Sequence, residues 1–135
     1  MASLKFLDFL PANFRHEKYY FNEQNLRDIE TLSHLSDSDI NYILRISPLC
    51  TTNNLKKIRA IAIFIKELAI SPNEAYLLLH CGIGSIKTLS RLTPYELEQK
   101  IGRLERSLRV KTEIKISKLT LKEWIKRANQ ICKTI

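Results

Sequence analysis

The sequence predicts an all-α fold, a helical bundle of two related units, on three observations. Helix-opening signatures of the capping-box type stand at Ser71-Pro72-Asn73-Glu74, Thr93-Pro94-Tyr95-Glu96 and Thr120-Leu121-Lys122-Glu123. A stretch of thirteen residues recurs later in the chain at a constant offset of 57. Three Gly and four Pro in 135 residues leave little material for β-turns.

The first elements are the least patterned. Residues 3–10 can form a short helix with Leu4, Phe6, Leu7, Phe9 and Leu10 apolar, and Pro11 is placed to end it. Residues 14–21, Phe-Arg-His-Glu-Lys-Tyr-Tyr-Phe, are expected as a polar, aromatic connector whose rings anchor the lead-in to the core or face a partner. A helix is expected over 22–31. Ser36-Asp37-Ser38-Asp39 then supplies a cap with acids in the first turn, where the helix dipole favours them. Ile40, Ile43 and Leu44 make the buried face of that helix, and Pro48 ends it.

The longest helix is expected to begin at Asn53 or Asn54 and to run to Leu68. Leu55, Ile58, Ile61, Ala62, Ile65 and Leu68 follow i, i+3, i+4 spacing with further apolar residues beside them. A helix apolar on most sides is central, so this one should pass between the two halves of the fold. Three short helices follow. Ser71 caps the first, Pro72 suits its first position because a missing N–H costs nothing there, and Gly82 stops it. Ser85 opens the second, 86–92, and Thr93 opens the third, which should stop at Gly102. Residues 103–110 should continue as helix or helical turn with Leu104 and Leu108 inward, and 111–118 as a loop. Thr120 is then expected to open a last helix with Leu121, Trp124, Ile125, Ala128 and Ile131 on one face.

The recurring pattern is Asp28-Ile29-Glu30-Thr31-Leu32-Ser33-His34-Leu35-Ser36-Asp37-Ser38-Asp39-Ile40 against Ser85-Ile86-Lys87-Thr88-Leu89-Ser90-Arg91-Leu92-Thr93-Pro94-Tyr95-Glu96-Leu97. Each copy is followed by an amphipathic helix. Two such units would bury their apolar faces on one another. The expected division is a lead-in over 1–21, a first, degenerate unit over 22–68 and a second unit over 69–135.

The net charge of +8 is placed unevenly. Residues 1–99 carry eleven Lys/Arg and eleven Asp/Glu, whereas 100–135 carry eleven basic residues against Glu105, Glu113 and Glu123. Such asymmetry marks a polyanion or an acidic partner, or else a solvated lysine-rich face. Cys50, Cys81 and Cys132 lie far apart with no Cys-x-x-Cys pair, which fits buried free thiols in a reducing compartment. The first ten residues are interrupted by Asp8 and offer no small-residue cleavage site, so no signal peptide is expected. The longest apolar run, Ala60 to Ile65, is far below the roughly 20 residues of a membrane span, and a soluble protein is expected.

No catalytic constellation is legible. His80-Cys81 is the only adjacent pair of metal-ligand types, and neighbours on a helix point about 100° apart, so further ligands would have to come from distant segments. Nothing in the sequence activates a thiolate nucleophile. Neither enzymatic activity nor a cofactor or metal is expected.

The second copy, Ala75-x-x-Leu78-x-x-x-Gly82-Ile83-x-Ser85-Ile86-x-x-Leu89, then Thr93-Pro94-x-Glu96-Leu97, then Leu121-x-x-Trp124-Ile125-x-x-Ala128, resembles an uncharacterised family of helix–hairpin–helix proteins of cyanobacteria and plastids. It is similar, more distantly, to the carboxy-terminal domain of the RNA polymerase α subunit. The resemblance implies a tandem helix–hairpin–helix, SAM-like bundle, a plastid stroma or cytoplasm as compartment, and a domain type that often binds DNA or RNA. It brings no enzyme activity. In the nucleic-acid-binding versions, hairpin glycines let backbone N–H groups approach a phosphate beside flanking Lys or Arg. Here the turn at 71–74 carries an acid and no base, and the second hairpin, expected near 108–119, has no Gly. Gly82, Gly84, Ser85 and Lys87 remain as candidates.

Two basic rows complete the candidate surface. Arg103, Arg106 and Arg109 recur at spacing three, and Lys118, Lys122 and Lys126 at spacing four. The expected function is a small non-enzymatic binding module that uses this surface for a protein partner; the alternative is nucleic acid, DNA or RNA.

Overall fold

The structure, a computed structural model, describes Leu7, residues 10–108 and residues 116–133, apart from the side chains of 104–108. A short 3-10 helix, Ala12–Phe14, leads into eight α-helices, and no strand is present among the described residues. In order they are α1 (Arg15–Glu23), α2 (Ile29–Ser33), α3 (Asp37–Ile46), α4 (Thr52–Leu68), α5 (Pro72–His80), α6 (Ile86–Ser90), α7 (Pro94–Leu108) and α8 (Lys118–Lys133). The expected helix at 3–10 falls largely outside the described residues; Leu7 and Leu10 are buried.

The aromatic connector proves to be α1. Phe14, Glu17 and Phe21 are fully buried on one side of it, with Tyr20 against Phe21 in an edge-to-face contact at 5.4 Å. The charged Glu17 within that stripe disguises its helical period. The helix expected over 22–31 is broken instead: Asn25 adopts φ 56° and the chain turns before α2. The Leu26 N–H donates to Phe21 O (2.9 Å) and the Asn25 N–H to Asn22 O (3.3 Å), which is a Schellman closure.

The end of α5 repeats that closure 57 residues on. Gly82 takes φ 88°, Ile83 N–H donates to Leu78 O (3.1 Å) and Gly82 N–H to Leu79 O (3.0 Å). The starts of α5, α6 and α7 also lie 57 residues after those of α1, α2 and α3. Asp28 accepts the Thr31 amide at 2.6 Å, and Ser85 accepts the Thr88 amide at 3.1 Å. Ser33 and Ser90 hydroxyls donate to the Glu30 and Lys87 carbonyls. Reciprocal capping boxes join Ser36 to Asp39 and Thr93 to Glu96. Phe21, Leu32 and Ile40 are buried where Leu78, Leu89 and Leu97 are. The offset of 57 between helix starts thus extends upstream to Arg15, before the thirteen residues in which the sequence shows it.

Thr51 caps α4 by accepting the Asn54 amide at 3.2 Å, so the helix starts at Thr52, slightly earlier than the sequence predicts. Leu55, Ile58, Ile61, Ala62, Phe64 and Leu68 are buried along it, and Ile65 is half-buried. The helix packs on α2 and α3 before it and on α5 and α8 after it, while α6 packs on α8 as α2 does on α4. Each such Leu, Ile or Phe removes enough apolar surface from water to be worth about 1.5–3 kcal/mol.

Two further expectations are corrected. α7 runs through Gly102 to Leu108: one interior Gly costs a helix only about 1 kcal/mol and does not by itself end it. α8 begins at Lys118, not after Thr120; Ser117 is its cap and accepts the Thr120 amide at 3.2 Å. The Thr120 hydroxyl bonds to Ser117 Oγ at 3.0 Å, as Thr88 does to Ser85, and so cannot itself be the cap. Leu121, Trp124, Ile125 and Ala128 are buried, Ile131 half-buried. The expected core residues Leu89 and Leu97 are buried and Leu92 is half-buried. No described helix is long and apolar enough to cross a membrane.

Candidate functional site

The side of α8 away from its buried residues carries Lys122, Lys126, Asn129 and Lys133, at i, i+4, i+7 and i+11. With Ile125, Gln130 and the first residue of α7, Pro94, they line an open groove of about 620 Å³. The arrangement follows from packing: once Leu121, Trp124, Ile125 and Ala128 turn inward, this strip of lysines faces solvent. No carboxylate lines the groove, and among the described residues no acid lies within ion-pair distance of Lys122, Lys126 or Lys133. Two side-chain amides between the ammoniums both donate and accept. The groove is thus a cationic surface with hydrogen-bonding capacity.

Lys118, the expected first member of the row, is engaged elsewhere. Its Nζ is 3.9 Å from Glu98 Oε2 on α7. That oxygen is shielded and has no hydrogen bond among the described residues, and the exposed Lys118 ammonium stands at the outer limit of ion-pair distance from it. Lys133 takes the place of Lys118 in the cationic strip. Sequence reasoning missed it, although its position seven residues after Lys126 continues the same helical face.

The arginine row is placed only in part. Arg103 is exposed on α7; the side chain of Arg106 and the whole of Arg109 lie outside the described residues.

The hairpin candidates belong to a different surface. Gly82 closes α5, and its amide and that of Ile83 are committed to Leu79 and Leu78 carbonyls. Ser85 is the cap of α6 and shares its hydroxyl with Thr88. Gly84, Ser85 and Lys87 line a groove with Lys56 and Arg59 of α4, apart from the α8 lysines.

The residues with metal or nucleophilic chemistry are held in structural roles. The His80 and Tyr76 rings pack at a tilt of 47° with centroids 4.7 Å apart, Tyr76 Oη lies 3.4 Å from Nε2, and burial pushes the Tyr76 phenol up. Cys81 caps α5. Cys50 is buried, donates to Ser47 Oγ at 3.3 Å, and burial raises its thiol above the usual range. Cys132 donates to Ser90 Oγ at 3.6 Å. No group of three His, Cys, Asp or Glu that could hold a metal ion occurs among the described residues.

Glu17 is the buried polar residue that sequence reasoning overlooked. Its carboxylate accepts the Thr51 amide at 2.9 Å and Asn54 Nδ2 at 3.2 Å. It sits at the N terminus of α4, where backbone donors and the helix dipole favour negative charge.

A family model matches residues 11–131, nearly the whole chain, and describes a domain of unknown function, DUF4332. No curated protein and no solved structure gives a significant match.

Proposed function

We propose, from the premise that the chain belongs to the DUF4332 family of uncharacterised domains, that it is a non-enzymatic binding module of two helix–hairpin–helix units, 15–68 and 72–133. The recurrence of helix starts, closures and caps at an offset of 57 supports the tandem reading. In this reading the module docks an acidic protein surface on the lysine strip of α8. The observation that carries it is the groove of Lys122, Lys126 and Lys133 with no acid in its lining. Three ammoniums with no acid within ion-pair distance among the described residues gain most from a partner that brings carboxylates, and such charges set orientation and association rate. The thiols of Cys50 and Cys132 fit a reducing compartment such as cytoplasm or plastid stroma.

Nucleic acid is the alternative, because the same strip could neutralise phosphates. The two are separated by comparing labelled poly-glutamate with a labelled DNA duplex on the full chain, with and without Lys122→Glu, Lys126→Glu and Lys133→Glu together. The proposal expects poly-glutamate to be held at low salt and lost in the triple variant, with the duplex held more weakly. A duplex held more tightly, with a log–log salt slope of about −3 for three neutralised phosphates, would establish the alternative. Indifference of both ligands to the triple variant would remove the surface assignment.

A further inference from the structure

A second concave surface, separate from the α8 strip, lies between α4 and the loop that enters α6, a groove of about 570 Å³. Its floor is apolar. Ala60 and Ile63 of α4 are half-buried there and meet Ile86 of α6. Its rims are basic, with Lys56 one turn before Ala60 and Lys87 on α6, both exposed. Lys56, Ala60 and Ile63 fall at i, i+4 and i+7, a single strip along α4. Arg59 also lines the groove, but its Nη1 is committed to Leu35 O and Asp37 Oδ1, each at 3.0 Å. No carboxylate lines the groove, and among the described residues neither Lys56 nor Lys87 is paired with one.

Most of the middle of α4 is covered by α2, α3, α5 and α8, and Ala60 and Ile63 are half-buried apolar residues of α4 that line this groove. A ligand that suits this place must cover apolar surface and neutralise two flanking cations at once. A phosphate backbone does only the second. We infer that this groove docks a short acidic, amphipathic segment of a partner protein, with an apolar side chain on Ala60, Ile63 and Ile86 and its carboxylates on Lys56 and Lys87. Burial of the anchor supplies affinity and the two ion pairs supply register.

The test uses the full chain and a fluorescein-labelled peptide of three Glu-Leu-Leu-Glu repeats, read by fluorescence anisotropy. Two control peptides carry Ser for Leu or Lys for Glu. The expected result is binding at least about tenfold tighter to the Glu-Leu peptide than to either control. The double variant Lys56→Glu/Lys87→Glu should lower that affinity about tenfold or more, and by more than Lys122→Glu/Lys126→Glu lowers it. Both rim lysines are exposed, so the variant keeps its core. A Cβ at Gly84 would meet nothing within 4 Å, so Gly84→Glu can bring a carboxylate to the groove from an uncrowded backbone position and should reproduce the loss. Equal affinity for the three peptides, no binding at all, insensitivity to Lys56→Glu/Lys87→Glu, or displacement of the peptide by single-stranded DNA would overturn the inference. Dependence on the α8 lysines instead would overturn it while leaving the α8 reading standing.

Discussion

The Glu17 carboxylate accepts a hydrogen bond from the Thr51 amide at 2.9 Å, so that α1 supplies the negative charge at the N terminus of α4. Asn54 adds to the same joint, its Nδ2 donating to Glu17 Oε1 at 3.2 Å and to Asn13 O at 2.9 Å. Glu17 is 1% exposed, so its side of these contacts is turned away from solvent. Glu17→Ala should therefore leave the Thr51 amide and the Asn54 side chain without a partner and cost about 2–3 kcal/mol. Glu17→Gln, which keeps an acceptor, should cost less. Urea midpoints of the three proteins at neutral pH decide it; an unchanged midpoint in Glu17→Ala would show that the joint contributes nothing.

Gly82 and Ala69 make a matched pair of opposite sign. Both close a helix with positive φ, 88° and 55°, but Ala69 bears a Cβ that crowds the following carbonyl. Gly82→Ala should lower stability by about 1 kcal/mol, and Ala69→Gly should raise it by about 0.5–1 kcal/mol, the relief of strain exceeding the added freedom of the unfolded chain. Thermal midpoints of the two variants should move in opposite directions.

Arg127 of α8 donates through Nε to the Glu67 carbonyl at 2.7 Å, satisfying one of the last carbonyls of α4. Arg127→Met keeps most of the packing stem and removes the donor. The expected cost is about 1 kcal/mol, small because the bond is exposed. Amide exchange should accelerate in the last turn of α4 and at Ala69, whose amide closes on Ile65 O, and leave α2 and α3 unaffected.

The Asp28 carboxyl is held below the usual carboxylate range by hydrogen bonds from the Thr31 hydroxyl and amide, and Asp39 by the Ser36 amide and hydroxyl. With folded values lowered, the folded chain binds fewer protons than the unfolded chain in acid. The caps therefore contribute fully above the ordinary carboxylate pKa, near about 4, and are lost as pH falls through the folded values. Asp28→Asn and Asp39→Asn should each flatten the fall of the urea midpoint below about pH 4, because the Asn side-chain oxygen still accepts the backbone amide, from the cap position at 28 and from the third helical position at 39, without titrating. An acid limb as steep as that of the unaltered chain would count against this linkage.

Glu17 and Glu74 divide what sequence alone determines from what the tertiary structure decides. They stand 57 residues apart on the same face of equivalent helices, and the residue three before each differs: Phe14 in one, Ser71 in the other. Ser71 makes a capping box, and Glu74 returns to its amide at 2.9 Å. Caps of this kind are local, a few residues bonding across one turn, which is why the all-α class, the boxes at Ser36, Ser71 and Thr93, the closure at Gly82 and the buried faces of α3, α4 and α8 are legible in the sequence. Phe14 cannot cap, so Glu17 is released to a partner thirty-four residues away, at the start of α4. α1 was hidden because its buried stripe contains that acid, and the start of α8 because two hydroxyls, Ser117 and Thr120, compete for one cap. The lysine surface divides the same way. Spacing places Lys118, Lys122 and Lys126 on one face of a helix, but only the packing of α7 on α8 sets Glu98 beside Lys118 and leaves Lys122, Lys126 and Lys133 to line the groove. A local hydrogen bond is written in the order of the residues; a partner across the fold is chosen by which helices bury which faces.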